Sequence, residues 1–411
     1  MRVLVSTYGS RGSIEPMAGL AVRLGELGAE ARVCAPPDGE FAARLAQLGV
    51  ETVPAGQPVR RLVTSVTPGS AVGLPQRAAE LMAAQFDTVA AAAADCDVLV
   101  ATGPLPATAG ARSAAEKLGI PYVHVSHQPV ILPSPYRRPP ARRGRPLPVD
   151  VTDNRALWDL DARIADEMFG EELDARRASV GLPPLDGIRD YAFTERPWLA
   201  TDPVLDPWRP TDLDVVQTGA WVLPDERPLP VELEEFLSAG TPPVYVGFGS
   251  TPLGDAASVA RAAVEAIRAH GHRVVLSPGW AGLAPIDDRD DCLTVGEVNH
   301  QALFRRTAAV VHHGSAGTTT TATRAGVSQV VIPQGADQPY WAGRVADLGI
   351  GAAHDGPTPT TESLAAALRT ALAPETRARA AAVAGTVRPD GTTVAAKLLF
   401  ETVGEGRPVR S

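Results

Sequence analysis

The chain has 411 residues, 45% of them hydrophobic and 21% charged, with a formal net charge of −9. This is an ordinary soluble globular composition. The length exceeds what one core accommodates and predicts two domains of roughly 200 residues each. The acidic balance argues against nucleic acid or an anionic membrane as partner.

Cys34, Cys96 and Cys292 are far apart and form no CxxC pair. Neither a disulfide framework nor a zinc site is expected, and a reducing cytoplasm fits. The opening "MRVLVSTYGSRGS" has no long apolar run after Arg2 and does not read as a signal peptide. The Ala-rich stretch 89–104 is broken by Asp95 and Asp97, too soon for a membrane span. A cytoplasmic monomer is expected.

In chain order, "RVLVST" (2–7) is the first β-branched strand, and Pro16 is expected to open the first helix. Strands follow at 31–36, 97–103 and 121–127, with a helix closed by Gly119 between the last two. Strands alternating with amphipathic helices predict a parallel sheet covered on both faces. Residues 133–148 dissolve into proline and arginine, with Arg137, Arg138, Arg142, Arg143 and Arg145 forming a basic cluster. The segment reads as a solvated loop, open to proteases until a ligand orders it. A helix resumes near 156, and the aperiodic, Pro-rich stretch after 203 reads as an interdomain connection. The alternation then repeats, with strands at 242–250, 272–277, 308–314, 328–334 and 350–354, and an amphipathic helix at 391–403. The expected division is 1–205, a linker 206–232, a second domain 233–385, and a tail 386–411 crossing back to the first domain.

In open parallel sheets, ligands bind at the carboxyl ends of the strands. "AAVVHHGSAGTTTTATRAG" (308–326) puts His312 and His313 at such an end. A helix starting near Ser315 offers unpaired backbone N–H groups and the positive end of its dipole to an anion. Gly314 and Gly317 allow close approach, Ala316 adds an amide, Thr318 a hydroxyl, and either histidine can donate to a phosphate oxygen. The plain alternative is a strand-to-helix turn with buried, satisfied histidines. "GFGST" (247–251) supplies a tight turn in which Gly249 and Ser250 or Thr251 can meet a diphosphate, although Gly-Ser turns follow many strands. "GSRGS" (9–13) occupies the matching place in the first half, with Ser10 and Arg11 within its turn. Past the strand at 328–334, Asp337 and Gln338 suit vicinal hydroxyls, while Asp337 also reads as a helix N-cap. There is no GxxxxGK[ST], and the dinucleotide fingerprint is absent. "DRDD" (288–291) reads as a solvated loop rather than a metal clamp.

These stretches resemble the family-1 glycosyltransferases of the GT-B fold, in particular those that decorate vancomycin- and teicoplanin-type glycopeptide antibiotics. The resemblance is carried by "MRVLVSTYGSRGSIEP", "VQTGAWVLPDERPL", "PPVYVGFGS", "GEVNHQALF", "HHGSAGTT" and "TVRPDGTTVAAKLL", spread over essentially the whole chain. It implies an α/β fold of two Rossmann-like doubly wound domains facing across a cleft. It also implies sugar transfer with inversion from a UDP- or dTDP-hexose to a hydroxyl of a peptide aglycone, without metal or cofactor. The backbone at Val298 would meet the pyrimidine base. Ser250, His312, His313 and the turn 314–318 would hold the diphosphate with Ser10 and Arg11, and Asp337 and Gln338 would face the sugar. Relatives carry "GSRGD", whose aspartate is proposed as the general base, whereas this chain has Ser13. Either His127, Glu15 or Asp337 takes the proton, or the base is lost. The alternatives are a glycosyltransferase of another natural product such as a macrolide or polyketide, a nucleotide-sugar-binding protein of low activity, and a GT-B epimerase.

Overall fold

The structure is a computed structural model and describes residues 1–65, 73–142 and 144–406. Arg143 of the basic cluster lies outside the described residues. The chain divides into two compact units, the first made of Met1–Thr201, Trp208–Leu223 and the residues from Pro389, the second of Asp202–Pro207 and Pro224–Arg388.

The first unit is built on a parallel sheet of β1 (Arg2–Thr7), β2 (Glu30–Ala35), β3 (Glu51–Pro54), β4 (Val98–Thr102), β5 (Tyr122–Ser126), β6 (Trp198–Leu199) and β7 (Val216–Gln217). Their order is β3-β2-β1-β4-β5-β6-β7. Every residue of β4 and all but the first of β1 are buried. Covered on both faces, these central strands read as continuous apolar runs. The chain winds from β1 outward to β3, then returns to β4 on the other side, so the switch point lies between β1 and β4.

The first helix spans Arg11–Glu26 and contains Pro16, contrary to the expectation that Pro16 opens it. Ser10 O already accepts the N–H groups of Ser13 and Ile14, which closes the first turn upstream of the proline. Only the hydrogen bond that a Pro16 N–H would have made is lost. The last helix, Gly391–Gly406, packs in the first unit, where Ala395, Ala396, Leu399 and Val403 share a core with Leu20, Leu24, Trp221 and Leu223. Gly391 permits this packing, since a Cβ there would stand 2.4 Å from Ala220 O.

The second unit carries β8 (Val244–Gly247), β9 (Val274–Ser277), β10 (Cys292–Thr294), β11 (Ala309–His312), β12 (Gln329–Val331) and β13 (Gly351–Ala353). These form a second parallel sheet in the order β10-β9-β8-β11-β12-β13, with its switch point between β8 and β11. Among the described residues no helix is long and apolar enough to cross a membrane.

Residues 206–232 do not form a separate linker. Trp221 and Leu223 are buried in the first unit, Leu229 in the second, and Leu205 is wholly buried in the second unit against Trp341 and Ile350. The segment lacks a sequence period because it is anchored by single side chains. The "DRDD" stretch is likewise more than a solvated loop. Arg268 on the helix Ala256–Ala269 binds Asp291 at 2.6 Å and Asp287 at 2.7 Å.

The Pro/Arg-rich loop is also fixed. Arg142 Nε lies 2.7 Å from buried Asp161 on the helix Asn154–Ser179. From the same helix, Trp158 Nε1 donates to Arg137 O at 2.9 Å and Asn154 Nδ2 to Pro135 O at 2.9 Å. Arg138 closes the loop on itself through the carbonyls of Pro148 and Val151. The expectation of a loop open until ligand arrives is therefore corrected for the described residues, because Arg138 and Arg142 are used in anchoring it. Limited trypsin digestion of the free protein is expected to spare Arg137–Arg145. Asp161→Ala, which strands Arg142, is expected to expose these bonds and cost about 3 kcal/mol in urea unfolding. Rapid cleavage of the unsubstituted protein at these arginines would contradict the anchoring.

Candidate active site

The carboxyl edge of the second sheet collects most of the candidate residues. Following the strand order, Val298 lies beyond β10, the turn Pro278–Trp280 beyond β9, and Gly249 and Ser250 beyond β8. His313–Thr318 follow β11, and Asp337 and Gln338 follow β12. At about 4.8 Å per strand spacing, the edge from β10 to β12 runs about 19 Å.

The two histidines have different fates. His312 is fully buried and ends β11 in register with Gly247 of β8 and Val331 of β12. The Gly314 N–H donates to its Nδ1 at 3.1 Å, so the proton sits on Nε2, which donates to Gln329 Oε1 at 3.0 Å. Gln329 Nε2 donates to Thr323 Oγ1, and that hydroxyl donates to Thr319 O. Both ring nitrogens of His312 are thus spent inside the unit. The expected contact between His312 and an anion is corrected: this ring holds the loop. His313 is the one with capacity left, since its Nδ1 is buried without a partner. Its ring stacks on Phe248 at 6.5 Å and faces Gly249, whose added Cβ would lie 3.3 Å from His313 Cε1. Burial lowers both pKa values, that of His312 to about 4 and that of His313 to about 3. Both imidazoles are neutral at pH 7 and donate without charge.

After His313 the chain turns through Gly314 at φ +93°, where a Cβ would stand 2.6 Å from Val331 Cγ1 and 3.2 Å from Gln338 O. Only glycine fits, and the same contact brings the loop after β12 beside the loop after β11. Ser315 caps the helix Ala316–Arg324, accepting the Thr318 N–H and donating to Thr318 Oγ1. That leaves the amides of Ala316 and Gly317 in the first turn without intrahelical partners, and the Thr318 hydroxyl proton to donate. A Cβ on Gly317 would meet nothing within 4 Å. This glycine is not required by packing and leaves open room in front of the helix. The Ser250 side chain makes no hydrogen bond among the described residues. Amides at a helix terminus, a hydroxyl and a neutral imidazole form a seat for an anion.

At β10, the Val298 side chain is buried while its backbone N–H and C=O take no partner among the described residues. Next to it, Asn299 caps a short helix and donates to the carbonyls of Asp225 at 2.7 Å and Arg227 at 2.9 Å. At β12, Asp337 precedes the helix Gln338–Asp347 but does not cap it. Its Oδ2 accepts from Trp341 Nε1 at 2.8 Å, and burial raises its pKa to about 6. Gln338 Oε1 accepts from Gln334 N at 2.7 Å, which turns its NH₂ outward as a donor. Gln329, Gln334 and Trp341 were not legible in the sequence, because each acts through a neighbour rather than through a motif.

In the first unit, Ser10 precedes the helix Arg11–Glu26 without capping it, and Arg11 pairs with Glu15 at 3.2 Å. Glu15 is also held by Arg44 at 3.4 Å, which removes it as a candidate base. Ser13 lies in the first helical turn, its Oγ against Gly9. His127 follows β5, edge-on to Trp221 at 5.7 Å, with Nε2 buried and unpartnered. Burial lowers its pKa to about 4, so the ring is unprotonated at neutral pH and Nε2 is left as an unused hydrogen-bonding position. Among the described residues, no group of three or more His, Cys, Asp or Glu side chains is placed to hold a metal ion.

Two outcomes follow from the buried imidazoles. His312→Ala is expected to lower stability by about 1–3 kcal/mol through its orphaned partners and to weaken nucleoside diphosphate binding less than His313→Ala does. The reverse pattern would contradict the assignment. His124 is also buried, and its pKa is lowered to about 3. Between about pH 6.5 and 3 the unfolded chain binds a proton at this position that the folded chain refuses, so this histidine makes stability fall as pH falls. His124→Phe is expected to flatten the pH dependence of the urea unfolding free energy by up to about 1.4 kcal/mol per pH unit in that window. An unchanged slope would mean the ring is protonated in the fold.

Residues 286–399 match the family model described as erythromycin biosynthesis protein CIII-like, C-terminal domain. Among curated proteins of Amycolatopsis orientalis, the chain is 58% identical to glycosyltransferase GtfE over 99% of both chains. It is 54% identical to vancomycin aglycone glucosyltransferase over 100% of both, and 52% identical to dTDP-epi-vancosaminyltransferase over 99% of both. The solved glycotransferase of kitacinnamycin shares the fold, with a TM-score of 0.71 at 22% identity over 98% of both chains. The chain belongs to the GT-B glycosyltransferases of family 1, in the group that includes the vancomycin glycosyltransferases, and it is a glycosyltransferase.

Proposed function

We propose that this enzyme moves a hexose, with inversion, from a UDP- or dTDP-activated donor to a hydroxyl of a glycopeptide aglycone of the vancomycin or teicoplanin type. The donor part of the reading rests on one observation, the order of groups along the carboxyl edge of the second sheet. Unpaired backbone at Val298 suits the edge of a pyrimidine. The Gly249–Ser250 turn, His313 and the turn 314–318 suit a diphosphate. Asp337, with one oxygen bound to Trp341, and the outward NH₂ of Gln338 suit sugar hydroxyls as acceptor and donor. The acceptor class comes from the relatives, one of which is named for vancomycin aglycone and glucose. Another is named for a dTDP-activated amino sugar, which supports dTDP beside UDP as the carrier.

The chemistry is a single displacement at the anomeric carbon. As the sugar–oxygen bond breaks, negative charge gathers on the departing diphosphate. The amides of Ala316 and Gly317, the Thr318 hydroxyl and His313 stabilise that charge where it forms. The attacking hydroxyl must lose a proton. With Ser13 in place of an acid and Glu15 held by two arginines, His127 is the proton acceptor in the first unit. A phenolic hydroxyl, with a pKa near 10, needs less help than an aliphatic one. His127→Phe is expected to lower kcat by about 10²–10⁴ with the donor KM unchanged, and Ser13→Asp to restore part of it. An unaltered kcat in His127→Phe would remove that role.

Ser13 favours one second reading, a protein that binds the nucleotide sugar and transfers it poorly. Mass spectrometry of aglycones incubated with purified protein and UDP- or dTDP-glucose separates the two. A gain of one hexose supports transfer. Donor binding with no gain for any aglycone supports the second reading.

A further inference from the structure

The turn after β9 carries none of the donor-binding groups, yet it is locked to one that does. The Trp280 N–H donates to Gly249 O at 2.8 Å. Gly279 has φ +54°, and a Cβ at this position would stand 2.4 Å from the same Gly249 oxygen and 3.3 Å from both Gly249 N and Gly249 C. Those are backbone atoms, so the clash cannot be relieved by rotating a side chain. Gly249 has φ +53° and lies against the His313 ring on its other side, with 3.3 Å between the place of its own Cβ and His313 Cε1. Phe248 stacks on the same ring. Three turns, after β9, β8 and β11, are thus in contact in series, and the last member of the series is the imidazole whose Nδ1 is buried and unpartnered.

We infer that Gly279 is a positioning residue for diphosphate binding: it sets the height of the Gly249–Ser250 turn and, through it, the aim of His313. Any side chain at 279 pushes Gly249 toward the ring and turns Nδ1 away from the anion, without touching the anion itself. This inference rests on the reading of the turns 249–250 and 313–318 as a diphosphate seat.

The test is a double-mutant cycle on the full chain, with UDP and dTDP as titrants in calorimetry and the melting temperature recorded for each variant. Gly279→Ala is expected to weaken nucleoside diphosphate binding about tenfold, a loss comparable to one hydrogen bond. His313→Ala is expected to weaken it similarly, and the double variant no further than His313→Ala alone. Gly279→Asn is measured in parallel, because asparagine tolerates the left-handed backbone and separates the added Cβ from backbone strain. Equal losses from Gly279→Ala with and without His313 would overturn the aiming role while leaving the diphosphate seat intact. Unchanged binding in His313→Ala would overturn the seat and the aiming role together.

Discussion

The hydrogen bond from the Gly314 N–H to His312 Nδ1 is the constraint on which the donor-side loops depend. It fixes the tautomer of His312, commits Nε2 to Gln329, and bends the chain sharply as β11 ends. The bend is possible only because Gly314 lacks a Cβ that would collide with Val331. Once the turn is set, Ser315 falls at the cap of the next helix, the amides of Ala316 and Gly317 are left over, and His313 is the histidine left with an unpartnered ring nitrogen. Two adjacent histidines therefore divide the labour, one inside holding the backbone and one beside the seat.

The electrostatics of this seat are those of neutral donors. Burial keeps both imidazoles uncharged, and the other donors at the turns 249–250 and 314–318 are amides and hydroxyls. A helix terminus and fixed N–H groups stabilise a diphosphate without waiting for a proton, and their orientation is set before the reaction begins. This suits a chain of net charge −9, where anion binding has to come from local geometry rather than from the overall field. Asp337 completes the pattern by opposition. It is a carboxylate kept in place by the Trp341 indole, at the end of the edge where we propose that sugar hydroxyls donate.

Much of this was legible in the sequence because a doubly wound sheet places its ligands at the carboxyl ends of its strands. The apolar runs β1, β4, β8 and β11 could be read from β-branched residues, and the turns after them from glycine and serine. The strands Glu51–Pro54, Trp198–Leu199, Val216–Gln217 and Cys292–Thr294 were not, since ETVP, WL, VQ and CLT contain no run of β-branched apolar residues. The motif 312–318 could be found, but which histidine keeps an unpartnered ring nitrogen could not. That depends on Gln329, a residue 17 positions away whose only mark is its burial in β12. The loop 133–148 looked unstructured because composition records its prolines and arginines and not Asp161, which binds one of them from the next helix. The absence of an acid at position 13 was plain from the sequence, and the orphaned ring nitrogen of His127 needed the fold.

The central claim is that His313, and not His312, meets the diphosphate. Imidazole ¹⁵N resonances of the full chain, assigned through single histidine substitutions and followed as UDP or dTDP is added, test it most directly. The account predicts a large shift at a His313 ring nitrogen, with the His312 signals holding the Nε2–H tautomer throughout. A shift confined to His312, with His313 unmoved, would contradict it.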